Sequence, residues 1–151
     1  MGTNSSTEFS TVNLDNVNND YVSGDINQSL VLVADSYPDN SELISQLVAD
    51  LGYFVITVSD GESALQKALI YKPALILLEL MLPIIDGLSC ASYLRASGNS
   101  VPIIALTTLP NSLYEEEAFL LGCNEYIQKP FDFEKLETTI NRYLRKSPLI
   151  F

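Results

Sequence analysis

The chain has 151 residues, 47% of them hydrophobic, a formal net charge of −11 and a pI near 4.1. That length suits one ordinary domain with a real core, and that acidity opposes contact with a nucleic-acid backbone or an anionic membrane surface. No histidine is present, which excludes His-based triads, His metal ligands and phosphohistidine chemistry on this chain. The two cysteines, Cys90 and Cys123, lie far apart in no paired-ligand spacing and read as core thiols in a reducing compartment.

Residues 1–28 are rich in Asn, Ser, Thr and Asp and hold no Lys or Arg, so a disordered leader is expected there. The start "MGTNSS" fits the loose myristoylation pattern, but no basic patch follows it. With no signal-peptide core and no apolar run of membrane-span length, a cytoplasmic protein is expected.

From residue 29 the pattern alternates. "SLVLVA" (29–34) is a short apolar run, and "PDNSELISQLVADLG" (38–52) follows with Leu43, Leu47, Val48 and Leu51 at helical spacing. "YFVITVS" (53–59) is rich in β-branched and aromatic residues. "DGESALQKALIYK" (60–72) places Ala64, Leu65, Ala68 and Leu69 on one helical face, with Asp60 an imperfect capping box three residues before Ser63. "PALILLEL" (73–80) is a third strand, Asp86–Gly87 a turn, and "GLSCASYLRAS" (87–97) a helix stopped at Gly98. "VPIIALTT" (101–108) is a fourth strand. "SLYEEEAFLLG" (112–122) is a helix whose Glu115, Glu116 and Glu117 suit the positive end of its dipole. "NEYIQKP" (124–130) is a weaker fifth strand. "DFEKLETTINRYLRK" (132–146) is a last helix with Arg142, Arg145 and Lys146 at its negative end, and residues 147–151 are a short tail.

Such apolar strands, alternating with helices, predict a parallel sheet covered on both faces, an α/β fold with short right-handed connections. These sheets hold ligands outside the carboxyl ends of their strands, so the residues just after each strand carry the information. Those residues are Asp35 and Ser36, Glu79, Thr107 and Thr108, and Lys129 followed by Pro130. The set suits an anion such as a phosphoryl group, held by Lys129 and Thr107, and a divalent metal held by the carboxylates. Lys129–Pro130 is also a bond that adopts cis at little cost.

The stretches "LVLVADSYPDN", "LGYFVITVSDGESALQKA", "PALILLELMLPIIDGL", "VPIIALTT" and "GCNEYIQKPFDFEKL", in this order, resemble the receiver domain of two-component response regulators over residues 29–146. The resemblance implies a flavodoxin-like, doubly wound five-stranded sheet of order 2-1-3-4-5 with five flanking helices. It implies that position 79 is the phosphoacceptor position. Thr107 and Lys129 would bind phosphoryl oxygens, Tyr126 would report the switch, and Asp35 would help hold Mg²⁺. It also implies a sensor histidine kinase or phosphotransfer protein as donor. A separate output protein would read the fourth helix, fifth strand and fifth helix, with a homodimer as a further possibility and no enzymatic activity.

Two positions depart from that pattern. Ser36 stands where a second acid is usual and Glu79 where aspartate is usual. Losing one hard anionic ligand weakens Mg²⁺ binding, so the metal site is expected to reduce to Asp35 and Glu79. An extra methylene displaces the nucleophile, and about 1 Å of misplacement can cost ~10²-fold in rate. The expected result is weak or absent phosphorylation, with the Glu79 carboxylate pairing with Lys129 and approaching Thr107 in imitation of a phosphoaspartate. It supplies one negative charge against roughly 1.5–2 for a phosphate.

Other readings stay open at this point. Glu79 could be the acceptor itself, or a substitution of a parent aspartate. Asp35 could brace the loop before Pro38, and Tyr126 could be simple core packing. The same sheet could also serve a flavin or nucleotide, although "ADSYPDN" supplies no glycine-rich phosphate loop, or act as a dimerisation module.

Overall fold

The computed structural model describes residues 29–145. The expected leader (1–28), the tail (147–151) and Lys146 lie outside the described residues. Elements alternate along the chain as β1 (Leu30–Ala34), α1 (Pro38–Asp50), β2 (Phe54–Val58), α2 (Gly61–Tyr71), β3 (Leu75–Leu78), α3 (Gly87–Ala96), β4 (Ile103–Thr107), α4 (Asn111–Leu121), β5 (Glu125–Gln128) and α5 (Phe133–Leu144). Each lies within a residue or three of its expected span. The strands form one parallel sheet in the expected order β2-β1-β3-β4-β5.

Strand side chains alternate between faces, so the continuous apolar runs feed two cores. On one face Leu32, Ala34, Ile76, Leu78, Ile103 and Ala105 pack with Ala64 and Ala68 of α2, Cys90, Ala91 and Leu94 of α3, and Ala118 of α4. On the other, Val31, Val33, Leu75, Leu77, Ile104, Leu106 and Ile127 pack with Ile44, Leu47 and Val48 of α1 and Leu136 and Ile140 of α5.

Three helix expectations need correction. α1 buries Ile44, Ser45, Leu47 and Val48 and leaves Leu43 exposed. α2 buries the small Ala64 and Ala68 and exposes Leu69, because close approach to the sheet favours the small stripe over the adjacent leucine. α4 begins at Asn111, which puts Glu115–Glu117 beyond its first turn, where the dipole effect has faded.

The starts of α2 and α3 share one device. In "DGES" and "DGLS" the aspartate accepts from the serine amide three residues on, at 2.7 Å for Asp60–Ser63 and 2.8 Å for Asp86–Ser89. The serine hydroxyl returns to the second carboxylate oxygen at 3.0 Å in both. Asp86 is therefore a helix cap and not only part of a turn. The glycines that follow permit close backbone contact. A Cβ on Gly61 would sit 1.8 Å from the Ile85 carbonyl oxygen, and one on Gly87 would sit 2.4 Å from that of Glu79. The β3–α3 loop is thus pressed against α2 on one side and against the end of β3 on the other.

Candidate functional site

The sheet itself delivers the strand-end residues to one place. Backbone pairing continues past the strands: the Asp35 amide donates to the Val58 carbonyl at 3.1 Å, that of Glu79 to Ala34 at 2.9 Å, and that of Lys129 to Thr107 at 2.7 Å. Four side chains from four different segments therefore meet beyond the carboxyl edge of β1, β3, β4 and β5.

Lys129 lies between two carboxylates. Its Nζ donates to Asp35 Oδ2 at 2.6 Å and to Glu79 Oε1 at 3.1 Å. The other Glu79 oxygen, Oε2, accepts from Thr107 Oγ1 at 2.5 Å and from the Met81 amide at 3.0 Å. The second Asp35 oxygen accepts from the Tyr37 amide at 2.9 Å. Asp35 and Glu79 are 3% and 4% exposed, Thr107 is fully buried, and the Lys129 side chain is 9% exposed. Buried charge is tolerated when it is paired and its remaining lone pairs are satisfied, and every carboxylate oxygen here has a donor. Over this cluster lies a cleft of about 390 Å³, lined also by Tyr37, Asp39, Asn40, Met81 and Thr108.

The structure thus brings together Asp35, Glu79, Thr107 and Lys129. It separates the two threonines: Thr107 turns inward to Glu79, while Thr108 is exposed at the rim of the cleft. Ser36, half-buried, follows Asp35 in the chain. Lys129–Pro130 is a cis peptide. Tyr126 is buried in the α2–α4 core, and its hydroxyl donates to the Leu109 carbonyl at 2.8 Å. Burial, with Glu115 and Glu79 as nearby negative charges, pushes its phenol up to about 12. Burial likewise pushes the Cys90 thiol up to about 12 and that of Cys123 to about 11, so both are inert core thiols at neutral pH.

Two parts of the site lie outside the residues expected from the sequence. The Met81 amide is a backbone donor, set by the loop that Gly87 allows to turn back. Asp39 reaches the rim because α1 starts immediately after the cleft. At the far end of the sheet Arg142 pairs with Glu125 at 2.6 Å, so it meets a carboxylate and not only the end of its own helix.

The donor set does not fit a tight Mg²⁺ site. Mg²⁺ requires hard oxygen ligands in near-octahedral array. Here Asp35 and Glu79 share the Lys129 ammonium, position 36 supplies a hydroxyl, and among the described residues no three Asp, Glu, His or Cys side chains converge on one point.

Known proteins share this fold. Residues 31–141 match the family model of the response regulator receiver domain. The chain is 35% identical over 119 residues to the alkaline phosphatase synthesis transcriptional regulatory protein PhoP of Bacillus subtilis, a match covering 79% of this chain and 50% of that protein. The chain spans about half the length of the curated relatives it matches. Among solved structures, the Francisella response regulator 1452 receiver domain superposes with a TM-score of 0.74 at 27% identity, covering 77% of this chain and 96% of that one. The receiver domain of sensor histidine kinase PA1611 from Pseudomonas aeruginosa, solved with a magnesium ion in its active-site cleft, gives 0.71 at 33% identity, covering 77% and 97%. The parallel sheet, its strand-end cluster and these matches together place the chain in the response regulator receiver domain family of two-component signalling.

Proposed function

We propose that this receiver domain relays its signal by protein contact and that Glu79 acts as a standing charge, not as an efficient phosphoacceptor. The observation that carries the reading is that both oxygens of the Glu79 carboxylate are already engaged, Oε1 by Lys129 and Oε2 by Thr107 and the Met81 amide. A nucleophile needs a free, correctly placed oxygen, and phosphoryl transfer depends on positioning and charge neutralisation. With Ser36 at the position of a second acid, neutralisation by Mg²⁺ is weak as well, so both requirements fail together. Thr107, drawn to Glu79, and Tyr126, buried against Leu109, form the switch pair of this proposal, and the side of α4, β5 and α5 is the surface a separate output protein reads.

In this proposal the domain has no enzymatic activity of its own and works in the cytoplasm. Its upstream partner is a sensor histidine kinase or phosphotransfer protein. Its net charge of −11 opposes direct contact with nucleic acid or with an anionic membrane, and among the described residues no helix is long and apolar enough to cross a membrane. The relatives named as transcriptional regulators match over only about half their length.

The test is incubation with a small phosphodonor and Mg²⁺ followed by intact mass. The unmodified chain is expected to gain no stable phosphoryl group, Glu79→Asp to label slowly, and Glu79→Asp with Ser36→Asp to label clearly, since parts that act as a unit recover together. Rapid stoichiometric labelling of the unmodified chain at Glu79 overturns the reading. It leaves the ordinary phosphoacceptor, which the open cleft above Glu79 would then serve.

A further inference from the structure

α4 begins without a cap of its own. Its N-cap position is Pro110, whose side chain accepts nothing, and the first intrahelical bonds come from the Leu113 and Tyr114 amides to the Pro110 carbonyl. The earlier amides of a helix need outside acceptors. For Asn111 the acceptor is Gln128 Oε1, at 2.9 Å, reaching across from the last residue of β5.

Gln128 holds a particular place in the chain. The next residue is Lys129, whose amide bonds the Thr107 carbonyl and whose ammonium bridges Asp35 and Glu79. Two residues before it, and therefore on the same face of the strand, is Tyr126. The Tyr126 hydroxyl holds the Leu109 carbonyl at 2.8 Å, and the Leu109 amide donates to Thr107 Oγ1 at 3.3 Å. The segment Leu109–Asn111 is thus gripped by two β5 side chains and also tied to the hydroxyl that contacts Glu79. We infer that Gln128 is a positioning residue that couples the start of α4 to the Glu79–Lys129 cluster. This rests on the proposed reading of the α4, β5 and α5 side as the surface that partners recognise, and it names how the state of the acidic site reaches that surface.

Gln128 is exposed, so its substitution does not open the core. Gln128→Met keeps the length and removes the acceptor. Gln128→Glu keeps the acceptor and adds a charge that a helix N-terminus favours. In the full chain, without phosphodonor, amide exchange at Asn111 is expected to speed up several-fold in Gln128→Met and to stay near the parent rate in Gln128→Glu. A local cap alone would give the same pattern, so the deciding readout is coupling. Glu79→Gln is introduced into the parent, Gln128→Met and Gln128→Glu backgrounds, and amide shift changes at Asn111–Tyr114 are followed. The response is expected to fall below half of the parent value in Gln128→Met and to be retained in Gln128→Glu. An undiminished response in Gln128→Met, or no response to Glu79→Gln in the parent, overturns the inference. Because no phosphodonor is present, this outcome is independent of whether Glu79 can be phosphorylated.

Discussion

Replacing Lys129 by methionine removes the ammonium that lies between two buried carboxylates while leaving a side chain of similar length. At an effective dielectric of about 20, contacts of 2.6 and 3.1 Å correspond to gross attractions of about 6 and about 5 kcal/mol. Desolvation of the ammonium offsets most of that in the intact protein. The variant, however, keeps Asp35 and Glu79 buried at 3% and 4% exposure, now facing each other without a counter-charge. Breaking a buried pair in this way typically costs about 3–5 kcal/mol. In a domain of this size each kcal/mol moves the midpoint by about 3–5 °C, so Lys129→Met is expected to melt roughly 10–20 °C lower. Neutralising the whole cluster with Asp35→Asn, Glu79→Gln and Lys129→Met removes the uncompensated charge, and the triple variant is expected to be more stable than Lys129→Met alone. Urea unfolding of the three proteins at neutral pH reads all of this. A cost below about 1 kcal/mol for Lys129→Met, the value of an exposed pair, would refute the buried-bridge account.

Three further outcomes follow from other parts of the structure. Ser36→Asp adds a hard anionic oxygen beside Asp35 and is expected to saturate at lower Mg²⁺ concentration than the parent, measured by amide shifts near Asp35; unchanged or weaker binding contradicts the proposed donor set. Gly61→Ala places a Cβ 1.8 Å from the Ile85 carbonyl oxygen and is expected to cost about 1–3 kcal/mol or more by forcing the β3–α3 loop away, read as a lower urea midpoint at unchanged slope. Tyr126→Phe loses the bond to Leu109 and is expected to cost about 0.5–1.5 kcal/mol at neutral pH. The Tyr126 phenol, pushed up to about 12 in the folded protein, keeps its proton there after the unfolded chain, near ~10, has released it. The parent therefore loses this part of its stability as pH rises from about 10 to about 12. The gap between parent and Tyr126→Phe should narrow over that window, and a constant gap would show that the phenol is not shifted.

Much of the architecture was legible because burial on both faces of a parallel sheet leaves a signal that survives in one dimension. Runs such as "LVLVA" and "LILL" have few alternatives, and the residues that follow them must emerge at one edge of the sheet. Asp35, Glu79, Thr107 and Lys129 could therefore be named from order alone, and the structure brings those four side chains together. The helix faces were less legible. Periodicity marks a stripe, yet the seating of each helix on the sheet decides which residues face inward: Ile44 and not Leu43 in α1, and the small Ala64 and Ala68 and not Leu69 in α2. The cap at Asp86 carries the same D-G-x-S signal as Asp60 and could have been found by comparing the two stretches. Other features have no local signature. That Thr107 and not Thr108 meets Glu79 depends on the register between β3 and β4 and on which way each strand residue points. That Lys129 serves two carboxylates depends on the distance between β1 and β3. The cap on Asn111 comes from a residue seventeen positions later, brought beside it only by the pairing of β4 with β5. Sequence encodes which groups a strand carries to its end; contacts between strand ends are set by register and spacing, which exist only once the sheet has formed.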